Sequence, residues 1–170
     1  AYPTDMGHGA QGKLYLAELF EGTADFDPSG NVYNLTSAGG TDVAVVKLNP
    51  ENGGLIWAKR MGGTSADGGI GLDVTVPDQV VIIGRFVGSG DYDPGSGIET
   101  LTSQGDYDAF VCMLDADGDF VWARSFGGTA RDSAAFGSRD ASGAVYGTGA
   151  FRGTADFDPG PDSSTMTSAG

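Results

Sequence analysis

The chain has 170 residues, among them 30 glycines and one cysteine, and a formal charge of −14 from 23 acidic and 9 basic side chains. One cysteine excludes an internal disulfide, the acidity repels nucleic-acid phosphate and anionic lipid, and no apolar run approaches the roughly 20 residues of a membrane span. Glycine at this density is entropically unfavourable inside helices and strands, so with 39% hydrophobic residues the composition predicts an all-β chain of short strands and many turns, its acidity favouring solubility and divalent cations.

In chain order, Tyr2-Pro-Thr-Asp-Met-Gly-His8 is a weak start that holds little of what the rest of the chain repeats. The opening Ala1-Tyr2-Pro3, without an initiating Met, suits a processed or excised chain. Phe20-Glu-Gly-Thr-Ala-Asp-Phe-Asp-Pro28 then returns as Phe86-Val-Gly-Ser-Gly-Asp-Tyr-Asp-Pro94 and Phe151-Arg-Gly-Thr-Ala-Asp-Phe-Asp-Pro159, at offsets of 66 and 65. Leu35-Thr-Ser37, Leu101-Thr-Ser103 and Met166-Thr-Ser168 follow the three copies. Asp42-Val-Ala-Val-Val-Lys-Leu48 matches Asp108-Ala-Phe-Val-Cys-Met-Leu114, and Leu55-Ile-Trp-Ala-Lys59 matches Phe120-Val-Trp-Ala-Arg124. Gly62-Gly-Thr-Ser-Ala-Asp67 matches Gly127-Gly-Thr-Ala-Arg-Asp132. The single-residue difference in period falls in the turn Asn52-Gly-Gly54, where hairpins tolerate a change of length. The repetition predicts one open-ended array over residues 1–170 of about 2.6 units, divided at 1–61, 62–126 and an incomplete 127–170.

Each unit is expected to hold four strands. The pattern predicts them over Ile70–Val76 and Val80–Phe86, then, after a long loop, over Asp108–Leu114 and Asp119–Ser125, the last two joined by the turn Asp115-Ala-Asp-Gly118. In the third strand Phe110, Cys112 and Leu114 face one way and Ala109, Val111 and Met113 the other. Both sets are apolar, which predicts cover on both faces, as in stacked sheets. No window carries a helical period.

Gly-Gly-Thr with a following Asp, the strand Val145-Tyr-Gly-Thr-Gly149, Asp108-Ala-Phe-Val111 followed by Leu114-Asp115, and Val121-Trp-Ala-Arg-Ser-Phe-Gly-Gly128 together resemble the bacterial β-propeller repeats labelled SBBP. The resemblance covers nearly the whole chain. It implies one four-stranded propeller blade per repeat, and a structural or adhesive part in a secreted or cell-surface protein.

The acidic motif carries the candidate chemistry. In an extended segment Asp25 and Asp27 project to one face and Phe26 to the other; the same holds for Asp91 and Asp93 around Tyr92, and for Asp156 and Asp158 around Phe157. The aromatic can anchor in the core while the next Pro stops the ladder. Adjacent carboxylates suit Ca²⁺, which takes about six to eight oxygens, with Asp42 and Asp108 as third carboxylates at the start of the strands that follow. The plainer alternative is that these acids cap turns by accepting from nearby backbone N–H groups. No equivalent of Asp42 follows the third pair, so its site is expected to be incomplete or completed by another molecule.

The remaining motifs have plainer readings. Asp115-Ala-Asp-Gly-Asp119 is read as a hairpin turn, because its counterpart Asn49-Pro-Glu-Asn-Gly-Gly54 keeps the turn and loses the acids. Asp67 and Asp132 are expected to lock a loop through backbone hydrogen bonds, and Trp57 and Trp122 to fill core rather than stack sugars. The Asn34-Leu-Thr36 sequon has Thr100 and Thr165 in place of Asn in the other copies, so it reads as chance. His8 and Cys112 form no nucleophile–base arrangement, and three near-identical acid pairs fit poorly with a single asymmetric glycosidase site. The expected function is a non-catalytic, calcium-stabilised structural module at the cell surface or outside the cell, joined head to tail to other copies of itself or to further repeats of a longer parent chain. A glycan-binding, lectin-like propeller fragment and an accessory part of a larger secreted hydrolase are the alternatives.

Overall fold

Val43 and Val45 point to one side of their strand and Ala44 and Val46 to the other, and all four are buried. The same alternation recurs with Phe110 and Cys112 against Val111 and Met113. Strands apolar on both faces need a neighbouring layer on each side, and stacked sheets supply it.

A computed structural model describes residues 1–75 and 78–169. In chain order its strands are β1 (Tyr2–His8), β2 (Leu14–Phe20), β3 (Thr23–Asp25), β4 (Asn34–Thr36), β5 (Asp42–Leu48), β6 (Leu55–Gly63), β7 (Gly68–Thr75) and β8 (Gln79–Phe86). They continue as β9 (Ser89–Asp91), β10 (Thr100–Thr102), β11 (Asp108–Leu114), β12 (Phe120–Gly128), β13 (Ser133–Arg139), β14 (Val145–Ala150), β15 (Thr154–Asp156) and β16 (Thr165–Thr167). One 3-10 turn, Ala10–Gly12, is the sole helical element among the described residues. No helix among them is long and apolar enough to cross a membrane. The chain is all-β.

Two six-stranded sheets carry the structure, in the orders β1-β2-β5-β6-β9-β10 and β16-β15-β12-β11-β8-β7. In each, four successive long strands form an antiparallel meander, and a short hairpin from further along the chain extends the edge. Hairpin β9–β10 leaves the second meander between β8 and β11 to pair with β6 of the first. Hairpin β15–β16 pairs with β12 in the same way. Strands β13 and β14 form a separate pair, as do β3 and β4.

The main core lies between the two sheets. Tyr15, Val43, Val45 and Met61 of the first meet Ile82, Phe86, Phe110, Cys112 and Leu114 of the second. Burial of each large apolar side chain contributes about 1.5–3 kcal/mol, so this layer dominates the packing. On the far face of the second sheet Val81, Ile83, Val111 and Met113 meet Ala134 and Val145 of the β13–β14 pair.

Several expectations shift. The weak start forms a full strand, β1, because its backbone pairs with β2 whatever its side chains are. The first strand of the central unit begins earlier, at Gly68, and its expected end at Val76 lies outside the described residues, as does the chain's last residue, Gly170. The fourth strand runs on past Ser125 to Gly128, because Gly127 and Gly128 pair with β15. The expected long loop after Phe86 contains the hairpin β9–β10.

Candidate functional site at the sheet joints

Where a hairpin joins the preceding sheet, two glycines meet it edge-on. Gly62 pairs with Asp91 and Gly63 with Gly90; one joint later Gly127 pairs with Asp156 and Gly128 with Ala155. A Cβ on Gly63 would strike the carbonyl oxygen of Ser89, and one on Gly128 that of Thr154. Glycine is required at both places because backbone meets backbone with no room for a side chain.

Beside each glycine pair lie two buried acids, Asp42 with Asp67 and Asp108 with Asp132. The Asp67 N–H donates to the Thr41 carbonyl (2.7 Å) and the Asp132 N–H to that of Tyr107 (2.6 Å). Asp67 Oδ2 accepts from Gly63 N–H (3.1 Å) and Asp132 Oδ2 from Gly128 N–H (2.8 Å), so these two carboxylates fasten the glycine strand as expected of loop locks. Asp42 Oδ2 accepts from Ala38 N–H (2.9 Å), and Asp108 Oδ2 from Gln104 N–H (3.0 Å).

The joints then diverge. Arg60 Nη1 lies 2.7 Å from Asp42 Oδ2, whereas Ser125 occupies the matching position beside Asp108. The Tyr92 hydroxyl donates to Asp67 Oδ1 (3.3 Å); Phe157 stands in its place at the second joint, and Asp132 Oδ1 accepts from Arg152 N–H (3.0 Å) instead. Burial pushes the Asp67 carboxyl up to about 7, against hydrogen bonds that lower it and with Asp42 raising it further. Burial pushes Asp108 up to about 6, with Asp132 adding to the rise. Asp42 is also raised by burial, its backbone and Arg60 bonds opposing.

The three acid pairs adopt one geometry. Asp25 Oδ1 accepts from the N–H groups of Asp27 (3.0 Å) and Tyr33 (2.8 Å), and Asp27 Oδ1 from Ser29 N–H (2.8 Å). Asp91 Oδ1 accepts from Asp93 (3.1 Å) and Glu99 (3.0 Å), and Asp93 Oδ1 from Gly95 (2.7 Å). Asp156 Oδ1 accepts from Asp158 (3.0 Å) and Ser164 (2.8 Å), and Asp158 Oδ1 from Gly160 (2.7 Å). All six carboxylates thus cap the hairpin's turn, the plainer of the two sequence readings. Ser29 donors hold Asp27 below the usual carboxylate range, and the Asp158 N–H does the same for Asp156. The aromatic between each pair turns inward as expected, Phe26 against Phe20, Tyr92 against Phe86 and Phe157 against Phe151, with centroids 5.1, 5.5 and 5.1 Å apart.

The expected third carboxylates sit one unit away from their expected partners. Asp91 pairs with Gly62, beside Asp42, and Asp156 with Gly127, beside Asp108. Asp156 and Asp158 share a polar cavity of about 180 Å³ with Asp108, Gln104 and Ser125, so the third pair does receive a third acid, from the preceding segment. The hairpin of Asp25 and Asp27 pairs only with itself among the described residues. No three His, Cys, Asp or Glu side chains among those residues converge as a metal-binding group.

Other candidates resolve quickly. Asp115 Oδ1 accepts from the N–H groups of Asp117 and Asp119 (both 2.9 Å), a hairpin turn. Trp57 and Trp122 are half-buried against core, and Trp57 Nε1 donates to the Ala116 carbonyl (3.2 Å). Cys112 is fully buried with its thiol pushed up by desolvation, and His8 is exposed at the end of β1. Asn34 is exposed on β4. An apolar groove of about 360 Å³ runs beside β14, walled by Val111, Trp122, Phe126, Phe151 and Phe157. The exchange of Arg60 for Ser125 escaped the sequence reading, although aligning the two copies displays it. A scan against protein-family models finds no match to this chain, and neither does a search of curated proteins.

Proposed function

We propose that this chain is a non-catalytic structural repeat module of a secreted or cell-surface protein, built of four-stranded, propeller-like blades and joined head to tail with further repeats or other copies of itself. The reading rests on one observation above the rest. The glycine-pair joint recurs with the same register at β6–β9 and β12–β15, while hairpin β3–β4, with the same internal hydrogen bonds, leaves its outer edge unpaired among the described residues. An open edge of N–H and C=O groups is a template for another strand. The apolar groove beside β14 supports the same reading from the opposite end of the molecule.

A catalytic role gains no support from an exposed His8 or from a buried Cys112 whose thiol is disfavoured as a nucleophile. Calcium stabilisation belongs to the proposal as well, supported by the acid-lined cavity at the second joint and the net charge of −14.

Light scattering and electron microscopy across a concentration series test the association. Wild-type protein is expected to form rings or filaments, and Thr23→Pro, which removes an N–H that faces away from β4 on the outer edge of β3, to remain monomeric and folded. Wild-type protein that stays monomeric at every concentration would remove self-association from the proposal.

A further inference from the structure

The two joints share a backbone and differ in charge. At the first, Asp42 is fully buried and its carboxylate is met by the Arg60 guanidinium at 2.7 Å. At the second, Asp108 is 2% exposed, and Ser125, neutral and too short to span the gap, takes the place of the arginine. Among the described residues no ion pair reaches Asp108, Asp156 or Asp158. Oδ1 is buried without a hydrogen-bond partner in both Asp42 and Asp108, but only Asp108 lacks a cation on its other oxygen, and its Oδ1 lies beside Gly127, itself a wall of the polar cavity that Asp156 and Asp158 also line.

A buried, unpaired carboxylate is among the least favourable arrangements a fold can keep, and further acids beside it make matters worse. The cavity is about 180 Å³. At roughly 30 Å³ per water it has room for a cation with part of its hydration shell. We infer that this cavity, bounded by Asp108, Asp156, Asp158 and the Gln104 and Ser125 side chains, is a divalent-cation site for a hydrated Ca²⁺, which at the second joint replaces the guanidinium of Arg60 at the first. Ca²⁺ suits a roomy, all-oxygen cavity because it accepts irregular coordination and mixes carboxylate with water, whereas Mg²⁺ demands a tighter octahedron. This deepens the calcium part of the proposed function by assigning one joint and excluding the other.

The test exchanges the joints. Chelator-treated 170-residue chain is titrated with CaCl2 by calorimetry, and its thermal midpoint is measured with and without Ca²⁺. Wild-type protein is expected to bind one equivalent, and its midpoint to rise by several degrees at Ca²⁺ roughly 100-fold above Kd. Ser125→Arg, which transplants the first joint's cation, should lose binding about tenfold or more while its Ca²⁺-free midpoint moves up toward that of loaded wild-type protein. Asp108→Asn, which keeps the acceptor for Gln104 N–H, should also lose binding, and serves if Ser125→Arg fails to fold. Full Ca²⁺ affinity in both variants would overturn this site and leave calcium binding elsewhere on the chain. No heat of binding in wild-type protein would overturn both the site and calcium stabilisation, while the association proposal is judged separately by light scattering.

Discussion

Asp67 shows how a single buried acid sets the response of the fold to pH. It faces Asp42, Arg60 and the Tyr92 hydroxyl, and burial lifts its carboxyl to about 7, well above the ordinary value near 3.9. A raised value means the folded state holds the proton more tightly than the unfolded chain. The stabilisation is therefore fully present below about pH 4 and is lost as pH climbs through about 7. The span is on the order of 4 kcal/mol as an upper bound, since Asp67 is almost fully buried and local relaxation reduces it. Urea midpoints measured from pH 4 to pH 8 should fall with rising pH, and Asp67→Asn, neutral throughout, should flatten much of that slope; an unchanged slope would remove Asp67 as its cause. Arg60 acts on the other acid. In Arg60→Ser the first joint copies the second, leaving Asp42 buried with no cation. A loss of about 2 kcal/mol is expected from urea denaturation, below the usual range for broken buried pairs because Arg60 remains partly exposed to water.

At the scale of elements, the joint depends on backbone approach. Gly63→Ala places a Cβ against the Ser89 carbonyl, so β6 and β9 must part. A destabilisation of about 2–3 kcal/mol is expected, with faster amide exchange confined to Gly62 and Asp91, the pair that bridges β6 to β9, while the β5–β6 ladder stays protected. Uniform loss of protection over the first sheet would show that the joint is not a separable unit. The same joint marks how far sequence carries. Asp108–Leu114 was legible to the residue, because seven residues of apolar alternation bounded by an acid and a turn admit little else. The turn at Asp115 and the locking roles of Asp67 and Asp132 were legible from repetition. Strands β9 and β15 were not, because three residues carry no measurable period, and their pairing with an earlier sheet is a non-local event that no local pattern encodes. For that reason Asp108 was matched to the acids before it in sequence, Asp91 and Asp93, when the fold sets it beside Asp156 and Asp158. The motif told which residues would act together in kind. Only the topology told which copies would meet.

For the molecule as a whole, the question is whether its charge holds it together or drives it apart. Four ion pairs are formed among the described residues, and two of them, Lys47–Asp78 and Arg124–Glu99, are as long as 3.8 Å. Exposed pairs contribute at most about 1 kcal/mol each, and salt weakens them. Against them stands a net charge of −14 on 170 residues, whose mutual repulsion is larger in the folded state, where the charges are closer together, than in the expanded chain. Monovalent salt screens both effects, since the Debye length falls to about 10 Å at 0.1 M. Repulsion involves many more charges than attraction does, so screening should stabilise. In the presence of chelator, the thermal midpoint is expected to rise by several degrees as KCl increases from about 0.01 to 0.3 M, and most of the rise should come at the low end, where the screening length changes fastest. KCl has no divalent ion to fill the second joint, so this gain should persist in Ser125→Arg and add to any effect of Ca²⁺. A midpoint that falls with KCl would mean that the few ion pairs outweigh the repulsion, and that the acidity of this chain is placed where the fold already neutralises it.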